Sequence, residues 1–251
     1  MINIIIRGCN GKMGQFITQI VEEDENAVIV AGIDVTPNRQ NRYPVFHSFR
    51  QCNVKADVII DVSAPVDVNE MLDFAIKQGV GIVLCTTGFT QEGLLLIAEA
   101  ANKIPILKSA NMSMGINLLL KLVQEAAKNL AAAGYDIEIV ERHHNKKVDA
   151  PSGTALALAD AMNEVLGNEY SYKFDRTDDR TPRAKKEIGF SCVRGGTIVG
   201  EHEVIFAGID EVIEIKHAAY SRAVFAKGAV QAAKYLSGKE AGMYSMKDVI
   251  G

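Results

Sequence analysis

The first half of the chain alternates short apolar runs with stretches of helical period. Each run is apolar on both faces, which is typical of a parallel strand buried between two layers of helices. The alternation therefore predicts βαβ units with right-handed crossovers. The predicted strands are 2–6, 28–34, 58–62, 80–85 and 104–108, and the predicted helices are 12–23, 66–77 and 91–102.

Beyond residue 113 the pattern changes. A long leucine-rich helix is predicted over 116–133, and a strand follows it. Side chains alternate along a strand, so one face would carry Ile137, Ile139, Glu141 and His143. Three β-rich runs come later in the chain, at 187–194, 197–207 and 211–218. Consecutive strands of this kind predict an open antiparallel or mixed sheet in a separate layer.

The connections in this second half are also predicted. Gly195-Gly196 and the segment 208–210 are typical of hairpins. The segment 168–186 is polar and weakly patterned, which predicts a long surface loop. Ser221 is expected to cap a last helix that ends near Leu236 and could return to the first domain.

Composition excludes several classes of protein. The 251 residues suit one large domain or two modest ones, with 48% hydrophobic and 23% charged residues. A net charge of -4 disfavours a nucleic-acid binder. The four cysteines have the spacing of neither a zinc site nor a disulfide framework. The apolar N-terminal run is too short for a signal peptide, and a membrane span is not predicted, so we expect a cytoplasmic protein.

A glycine-rich turn, GCNGKMG, joins the first predicted strand to the first predicted helix. Gly8, Gly11 and Gly14 would let the backbone turn tightly and approach a pyrophosphate, which the helix start would bind. Asp34 ends the next strand 20 residues after Gly14, where a ribose-binding carboxylate belongs. The alternative is that the glycines serve helix–strand packing and that Asp34 caps a turn.

The same turn bears on the choice of cofactor. Asn10 stands where the standard fingerprint has its middle glycine, and we expect the turn to survive with altered geometry. Asp34 favours NADH over NADPH because a carboxylate repels a 2′-phosphate. Lys12 and Arg39 are the nearby cations that could attract that phosphate. We therefore expect NADH, with NADPH as the second choice.

Two further loops, 85–88 and 109–112, follow predicted parallel strands. Ligands bind at the carboxyl ends of such strands in open α/β sheets. The small and hydroxylated residues in these loops suit a nicotinamide ribose and its carboxamide. A plain connecting turn explains the same residues equally well.

The stretch 141–156, ERHHNKKVDAPSGTAL, collects imidazoles, ammonium groups and a helix start. A metal site is disfavoured because His143 and His144 point apart on a strand and the sequence offers no third clustered ligand. An anion site is favoured because Ser152 is a natural N-cap and the next residues supply the first amides of a helix. With the two nearby lysines, such a site would neutralise a dicarboxylate at both ends. An ordinary polar loop is the remaining interpretation.

At these residues the sequence resembles the 4-hydroxy-tetrahydrodipicolinate reductase (dihydrodipicolinate reductase) family. The shared motifs are GCNGKMG, CTTGF at 85–89, SANMSMGIN at 109–117, the stretch 141–156, VGEHEVIFAG at 199–208 and Ser221-Arg222. They span nearly the whole chain in the family's order. The string H-H-x-x-K-x-D-A-P-S-G-T is the most specific of them.

The resemblance implies a Rossmann-like parallel-sheet dinucleotide domain, 1–113 and 222–251, and an inserted α+β domain, 114–221. The inserted domain, with a mixed open sheet, would bind substrate and build a homotetramer. The implied reaction is hydride transfer from NADH or NADPH to a cyclic unsaturated imine dicarboxylate in lysine and diaminopimelate biosynthesis, followed by protonation of the ring.

The resemblance also assigns roles to residues. His143 would be the general acid/base and Lys147 a second proton donor. The substrate residues would be His144, Ser152, Gly153 and Thr154. The cofactor would rest on Gly8, Cys9, Asn10, Gly11, Lys12, Met13, Asp34, Cys85, Thr86, Thr87, Ser109, Ala110, Asn111 and Met112. Which of His143 and Lys147 delivers the proton stays open.

Three departures from the family pattern stand out. Asn10 replaces a frequent glycine, and Val35 stands where some members place an arginine that binds the 2′-phosphate. Met112 occupies a position where an aromatic residue is common. Two other functions are also considered: a dehydratase or lyase that uses the same dicarboxylate site, and a redox sensor that binds NAD(H) without catalysis.

Overall fold

The computed structural model describes residues 1–36, 40–109 and 111–251. Within them the chain divides into two compact units. Unit 1 comprises Met1–Met114 and Ala223–Gly251, and unit 2 comprises Gly115–Arg222. Among the helices of the described residues, none has the length and apolar character that a membrane crossing requires.

The sheet of unit 1 is parallel throughout. Its strands are β1 (Ile2–Arg7), β2 (Ala27–Ile33), β3 (Val45–Phe46), β4 (Val58–Asp61), β5 (Gly81–Leu84), β6 (Pro105–Lys108) and β12 (Gly242–Tyr244). Their order is β12-β6-β5-β4-β1-β2-β3. The chain therefore starts in the middle of the sheet and leaves β1 in both directions. The loops after β1 and β4 lie at this switch point, where open α/β sheets bind their ligands.

Helices cover both faces of this sheet. They are α1 (Lys12–Glu22), α2 (Val68–Gln78), α3 (Gln91–Ala100), α6 (Ala223–Leu236) and the short α7 (Met246–Ile250). Ile4 and Ile6 pack with α1 and α6, whereas Ile5 between them packs with α2 and α3. This arrangement explains why the strands are apolar on both faces. The predicted strands and helices of the first half are confirmed to within two residues.

Four short elements of unit 1 were not predicted: β3, β12, α7 and a 3₁₀ helix at Phe49–Gln51. Each has two to five residues, which is too few to show a period. The last predicted helix, α6, ends at Leu236 as expected and begins two residues after Ser221. It packs on β4, β5 and β6 of unit 1.

Unit 2 contains a mixed sheet, as predicted. Its elements are α4 (Met114–Leu130), β7 (Asp136–His143), α5 (Gly153–Val165), β8 (Ser171–Lys173), β9 (Glu187–Arg194), β10 (Gly200–Ala207) and β11 (Val212–Ala219). The strand order is β11-β10-β7-β9-β8. β10 is antiparallel to both its neighbours, whereas β7, β9 and β8 run parallel.

The predicted hairpin at Gly195-Gly196 is wrong, because β7 lies between β9 and β10. The glycine pair bonds instead to the end of β7: the Gly195 amide donates to the His143 carbonyl, and the Gly196 carbonyl accepts from Asn145. The hairpin predicted at 208–210 is confirmed by the antiparallel pairing of β10 with β11. The predicted surface loop at 168–186 also contains the strand β8.

The core of unit 2 explains the placement of its polar residues. Ile137 and Ile139 on β7 pack against apolar side chains of α4 and α5. The next two residues on the same face of β7 are Glu141 and His143, and both are buried. The face of β7 that packs in the core therefore continues, toward the end of the strand, with two titratable side chains.

Candidate active site

The glycine turn requires glycine at two of its positions. Gly8 has a φ of 85°, a left-handed conformation that favours glycine. A Cβ on Gly14 would lie 2.4 Å from the Gly8 carbonyl oxygen, so any side chain there would push α1 away from the turn. Gly11 is the N-cap of α1 and has no side chain with which to cap it. The first amides of α1 are therefore available to an anionic ligand.

Asp34 directly follows β2 and is held in place by backbone amides. Asn10 donates to its Oδ2 and Thr36 to its Oδ1, each at 2.8 Å. The side chain of Asn10 donates to the Thr36 carbonyl at 2.7 Å and accepts from Asn41 at 2.9 Å. Asn10 therefore ties the glycine turn to the segment after β2. The Asp34 carboxylate keeps further lone pairs for ribose hydroxyls.

Two cavities of unit 1 adjoin this turn. The larger, of about 440 Å³, is lined by predicted cofactor residues together with Val62, Ser63, Phe225 and Ala229. The predicted residues in it are Met13, Cys85, Thr86, Thr87, Ser109, Asn111 and Met112. Gly8 and Asp34 line the smaller cavity, of about 270 Å³. Ser63 borders both, so the two cavities meet at the loop after β4.

That loop was missed by the sequence reasoning. Ser63 donates to the fully buried Asp61 at 2.6 Å, and Thr86 donates to the Ser63 carbonyl at 3.2 Å. Asp61 also pairs with Arg7 at 3.5 Å. These bonds link the ends of three neighbouring strands. The sequence offered no motif for them, since each partner lies on a different strand.

Two thiols of unit 1 are unreactive. Burial, and then the nearby Asp34 carboxylate, raises the pKa of Cys9 to about 12. Burial and the Asp61 carboxylate raise the pKa of Cys85 in the same direction. Both thiols remain protonated at neutral pH, which makes them poor nucleophiles.

In unit 2, Glu141 is the centre of a buried hydrogen-bond network. His143 Nδ1 lies 2.6 Å from Glu141 Oε2. Arg194 donates to both carboxylate oxygens, at 2.7 and 2.6 Å, and the Ser152 amide donates to Oε1 at 3.1 Å. Burial by itself raises the pKa of Glu141, but hydrogen bonds from Arg194, His143 and their neighbours outweigh it and bring the pKa to about 2. Glu141 is therefore a carboxylate at neutral pH.

His202 extends this network across the sheet. It pairs in register with Glu141, and its Nε2 lies 2.9 Å from Ser152 Oγ. Its ring meets that of His143 edge-on, with centroids 5.1 Å apart. Burial, and then the charge of His143, lowers the pKa of His202 to about 4. His202 is thus neutral at neutral pH.

The start of α5 lies beside this network. Ser152 is the N-cap, as predicted, and its side chain accepts from the Ala155 amide at 3.2 Å. The peptide bond before Pro151 is cis. Lys147 Nζ lies 2.8 Å from Asp149 Oδ1, and the hydrogen bond from Lys147 lowers the pKa of Asp149. A carboxylate of the chain itself is thus bound by Lys147, in the segment that leads to α5.

The structure places the predicted residues in two groups. The predicted cofactor residues that it describes all lie in unit 1, and His143, His144, Lys147, Ser152, Gly153 and Thr154 all lie in unit 2. Ala110 and Arg39 fall outside the described residues. Arg194 was missed, because only the pairing of β7 with β9 brings it to Glu141. Within the described parts of the chain, three or more His, Cys, Asp or Glu side chains do not gather in a metal-binding group.

The chain was compared with known proteins once this geometry was established. A family model described as "Dihydrodipicolinate reductase, N-terminus" matches residues 2–112, and one described as "Dihydrodipicolinate reductase, C-terminus" matches residues 115–250. The relatives include 4-hydroxy-tetrahydrodipicolinate reductases from Caldanaerobacter subterraneus subsp. tengcongensis, at 48% identity, and Clostridium novyi, at 46%. Each alignment covers 100% of this chain and 98% of the relative.

Solved structures show a similar fold. The dipicolinate-bound dihydrodipicolinate reductase from Paenisporosarcina sp. TG-14 aligns over 100% of both chains with a TM-score of 0.83 and 26% identity. A probable dehydrogenase from Thermotoga maritima aligns over 99% of this chain and 92% of its own, with a TM-score of 0.61. At 11% identity, the second likeness concerns the fold alone.

Proposed function

The chain belongs to the dihydrodipicolinate reductase family, and from that premise we propose how its own residues divide the work of the reaction. The chain is an NAD(P)H-dependent oxidoreductase that reduces 4-hydroxy-tetrahydrodipicolinate to tetrahydrodipicolinate in lysine biosynthesis. The cofactor supplies the hydride. The residues of this chain bind and orient the cofactor and the substrate, and they deliver a proton.

Unit 1 binds the cofactor in this proposal. The glycine turn and the start of α1 bind the pyrophosphate through free backbone amides. Glycine is needed at position 14 because a Cβ there would displace the turn. The larger cavity, with Thr86, Thr87 and Asn111 in its lining, receives the nicotinamide half. The smaller cavity, with Asp34, receives the adenosine half.

NADH is the preferred cofactor in this proposal. Both oxygens of Asp34 accept backbone amides, so the carboxylate is fixed and faces the ribose position as an acceptor. A 2′-phosphate there would meet a fixed negative charge. Lys12 is exposed at the start of α1 and provides the residual attraction for NADPH.

Unit 2 binds the dicarboxylate substrate and supplies the proton. One substrate carboxylate binds at Gly153 and Thr154, where α5 begins, and the other contacts His144 and Lys147. The observation that carries this assignment is the Asp149 carboxylate, which lies 2.8 Å from Lys147 Nζ and shortly before Ser152, the N-cap of α5. A substrate carboxylate takes over the contact with Lys147. His143, which is buried at the end of β7, is the general acid/base, and Lys147 in the following loop is the second donor.

A homotetramer in the cytoplasm completes the proposal. Apolar side chains of unit 2 are exposed on α4 and β11, at Leu118, Leu122, Val212 and Ile213. Exposed apolar side chains of this number favour association between copies of the chain. Sedimentation equilibrium of the purified chain tests the state directly, and a monomer would contradict it.

Lys147→Ala tests the substrate site. Calorimetry with dipicolinate should show affinity weakened by about 10- to 100-fold, because a charge-assisted contact is lost. The affinity for NADH should stay within about twofold, because Lys147 belongs to unit 2. Lys216→Ala is the matched control, since Lys216 is an exposed lysine of the same unit that pairs with Glu201. An equal loss of NADH affinity in Lys147→Ala would contradict the assignment.

A further inference from the structure

Glu141 is a fully buried charge for which the reaction has no direct use. It reaches no substrate position in the scheme above, yet His143, Arg194 and the Ser152 amide all bond to it. A buried carboxylate is costly unless it is paired. The chain therefore retains at this position a charge whose partner is the proposed acid/base.

The bond between Glu141 and His143 fixes the position of one hydrogen. A carboxylate can only accept hydrogen bonds, so a neutral imidazole must carry its hydrogen on Nδ1 to make the 2.6 Å contact. Arg194 has donors only, and its two bonds to the carboxylate leave Glu141 no need to take a proton. The other ring nitrogen, Nε2, is then left for proton exchange.

The space around Nε2 supports this division. A Cβ on Gly200 would lie 3.0 Å from His143 Nε2, so a side chain at this position would crowd that nitrogen, and glycine leaves it room. Other titratable or charged groups also face His143: His202 lies edge-on to its ring, and Cys192 bonds to the same carboxylate. Lys147 lies in the loop that follows β7.

We propose that Glu141, clamped by Arg194, is a positioning residue that holds hydrogen on Nδ1 of His143 and makes Nε2 the atom that gives the proton to the substrate. This inference rests on the proposed acid/base role of His143. The donor in this step is the imidazolium form, in which Nε2 has taken a proton from solvent while Nδ1 keeps its hydrogen against Glu141. The Nε2–H bond breaks as the new C–H bond of the ring forms, and His143 returns to the neutral form. The electron pair of the N–H bond stays on Nε2, and Nδ1 keeps its hydrogen throughout.

Glu141→Gln is the sharpest test because it converts one acceptor oxygen into a donor and changes the shape of the side chain little. Oε1 accepts from two fixed donors, Arg194 Nη2 and the Ser152 amide, so the amide oxygen of glutamine settles there. Its NH₂ group then meets one fixed donor, Arg194 Nη1, and faces His143 Nδ1, which must become an acceptor. The reverse orientation would set that NH₂ group against two donors. The variant should therefore move the hydrogen of His143 to Nε2.

The first measurement is nitrogen-15 NMR of the histidine rings, in the native chain and in Glu141→Gln. The native chain should show hydrogen on Nδ1 of neutral His143, and the variant should show it on Nε2. Hydrogen on Nε2 in the native chain would overturn the proposal even if the variant does not fold. Because this measurement uses no substrate, it stands apart from any failure of the proposed function.

The second measurement is steady-state kinetics. Glu141→Gln should lower kcat by about 100-fold with KM changed by less than about threefold, as the loss of a residue that orients a catalytic group does. Glu141→Asp keeps the negative charge and the hydrogen on His143 Nδ1, so its kcat should fall less than that of Glu141→Gln. Glu203→Gln is the control: Glu203 pairs with Arg142 at 3.0 Å and is the neighbour of His202 on β10, so it faces the other side of the sheet.

Three kinetic outcomes would overturn the proposal. The first is that Glu141→Gln keeps kcat within about threefold of the native value, because the loss of a positioning residue lowers activity by more than that. The second is that Glu141→Asp retains hydrogen on Nδ1 but loses as much activity as Glu141→Gln. The third is that Glu203→Gln loses as much as Glu141→Gln, which would show a general effect of removing a carboxylate. Full activity in His143→Asn would instead remove the acid/base role proposed for His143, on which this inference rests.

Discussion

The two units build their binding surfaces from different materials. In unit 1 the glycine turn, Asn10 and Asp34 are joined largely by backbone amides and carbonyls, and a missing side chain matters as much as a present one. In unit 2 the surface is made of charged and titratable side chains around a buried carboxylate. Backbone surfaces suit a ligand that must be held, whereas side-chain networks can also move a proton. Damage to unit 1 should therefore affect cofactor binding, and damage to unit 2 should affect substrate binding and chemistry.

His143→Asn should have the largest effect. Loss of a general acid/base should lower kcat by about 1000-fold, because such groups contribute roughly 10²–10⁴. The affinity for NADH, measured by calorimetry, should change by less than about twofold because His143 belongs to unit 2. A parallel loss of kcat and NADH affinity would break the contrast between the units.

Acid should weaken unit 2 through Glu141. The pKa of Glu141 is lowered from its ordinary 4.5 to about 2 in the folded chain. This shift corresponds to a contribution of about 3 kcal/mol to the free energy of unfolding. The contribution is fully present above about pH 4.5 and is lost as the pH falls through about 2. Urea denaturation of the native chain and Glu141→Gln should give a difference in free energy of unfolding that shrinks over this window. A constant difference would mean that Glu141 is not charged in the folded chain.

Gly14→Ala tests the backbone surface of unit 1. The added Cβ would lie 2.4 Å from the Gly8 carbonyl oxygen, so the free energy of unfolding should fall by about 1–3 kcal/mol. NADH affinity should fall with it, because the turn must shift. Gly93→Ala is the matched control. Gly93 lies within α3, and a Cβ there would be 3.5 Å from its nearest neighbour, so the substitution should raise the free energy of unfolding by about 0.5–1 kcal/mol. Equal behaviour of the two variants would show that the turn is not tightly packed.

Asp34→Asn should have the smallest effect and refines the picture of the cofactor. Removing the charge should narrow the preference for NADH over NADPH by about 10-fold, equal to roughly 1.4 kcal/mol. The NH₂ group of asparagine cannot accept the backbone amide that one Asp34 oxygen accepts, so the free energy of unfolding should fall by about 1 kcal/mol. Calorimetric titration of both reduced cofactors measures the ratio. An unchanged ratio would refute the role of Asp34 at the ribose.

Features of the site that depend on local sequence were predicted, and those that depend on distant contacts were not. The glycine turn and Asp34 were identified from glycine spacing and from a carboxylate at a strand end. Alternation along the strand predicted that Glu141 and His143 share one face of it. Arg194 was not, since it reaches Glu141 only through the pairing of β7 with β9. The wrong hairpin at Gly195-Gly196 has the same cause, because pairing partners are chosen by contacts between distant segments.

The order of elements along the chain has a consequence for synthesis. β12 and α6 complete the sheet and core of unit 1, yet the ribosome makes them only after the 108 residues of unit 2. At ordinary elongation rates that delay is on the order of ten seconds. Throughout it, the apolar surface that α6 will cover has no partner, while unit 2 already has all of its strands. The amino-terminal half of the nascent chain therefore stays incomplete until the segment beyond unit 2 has been made.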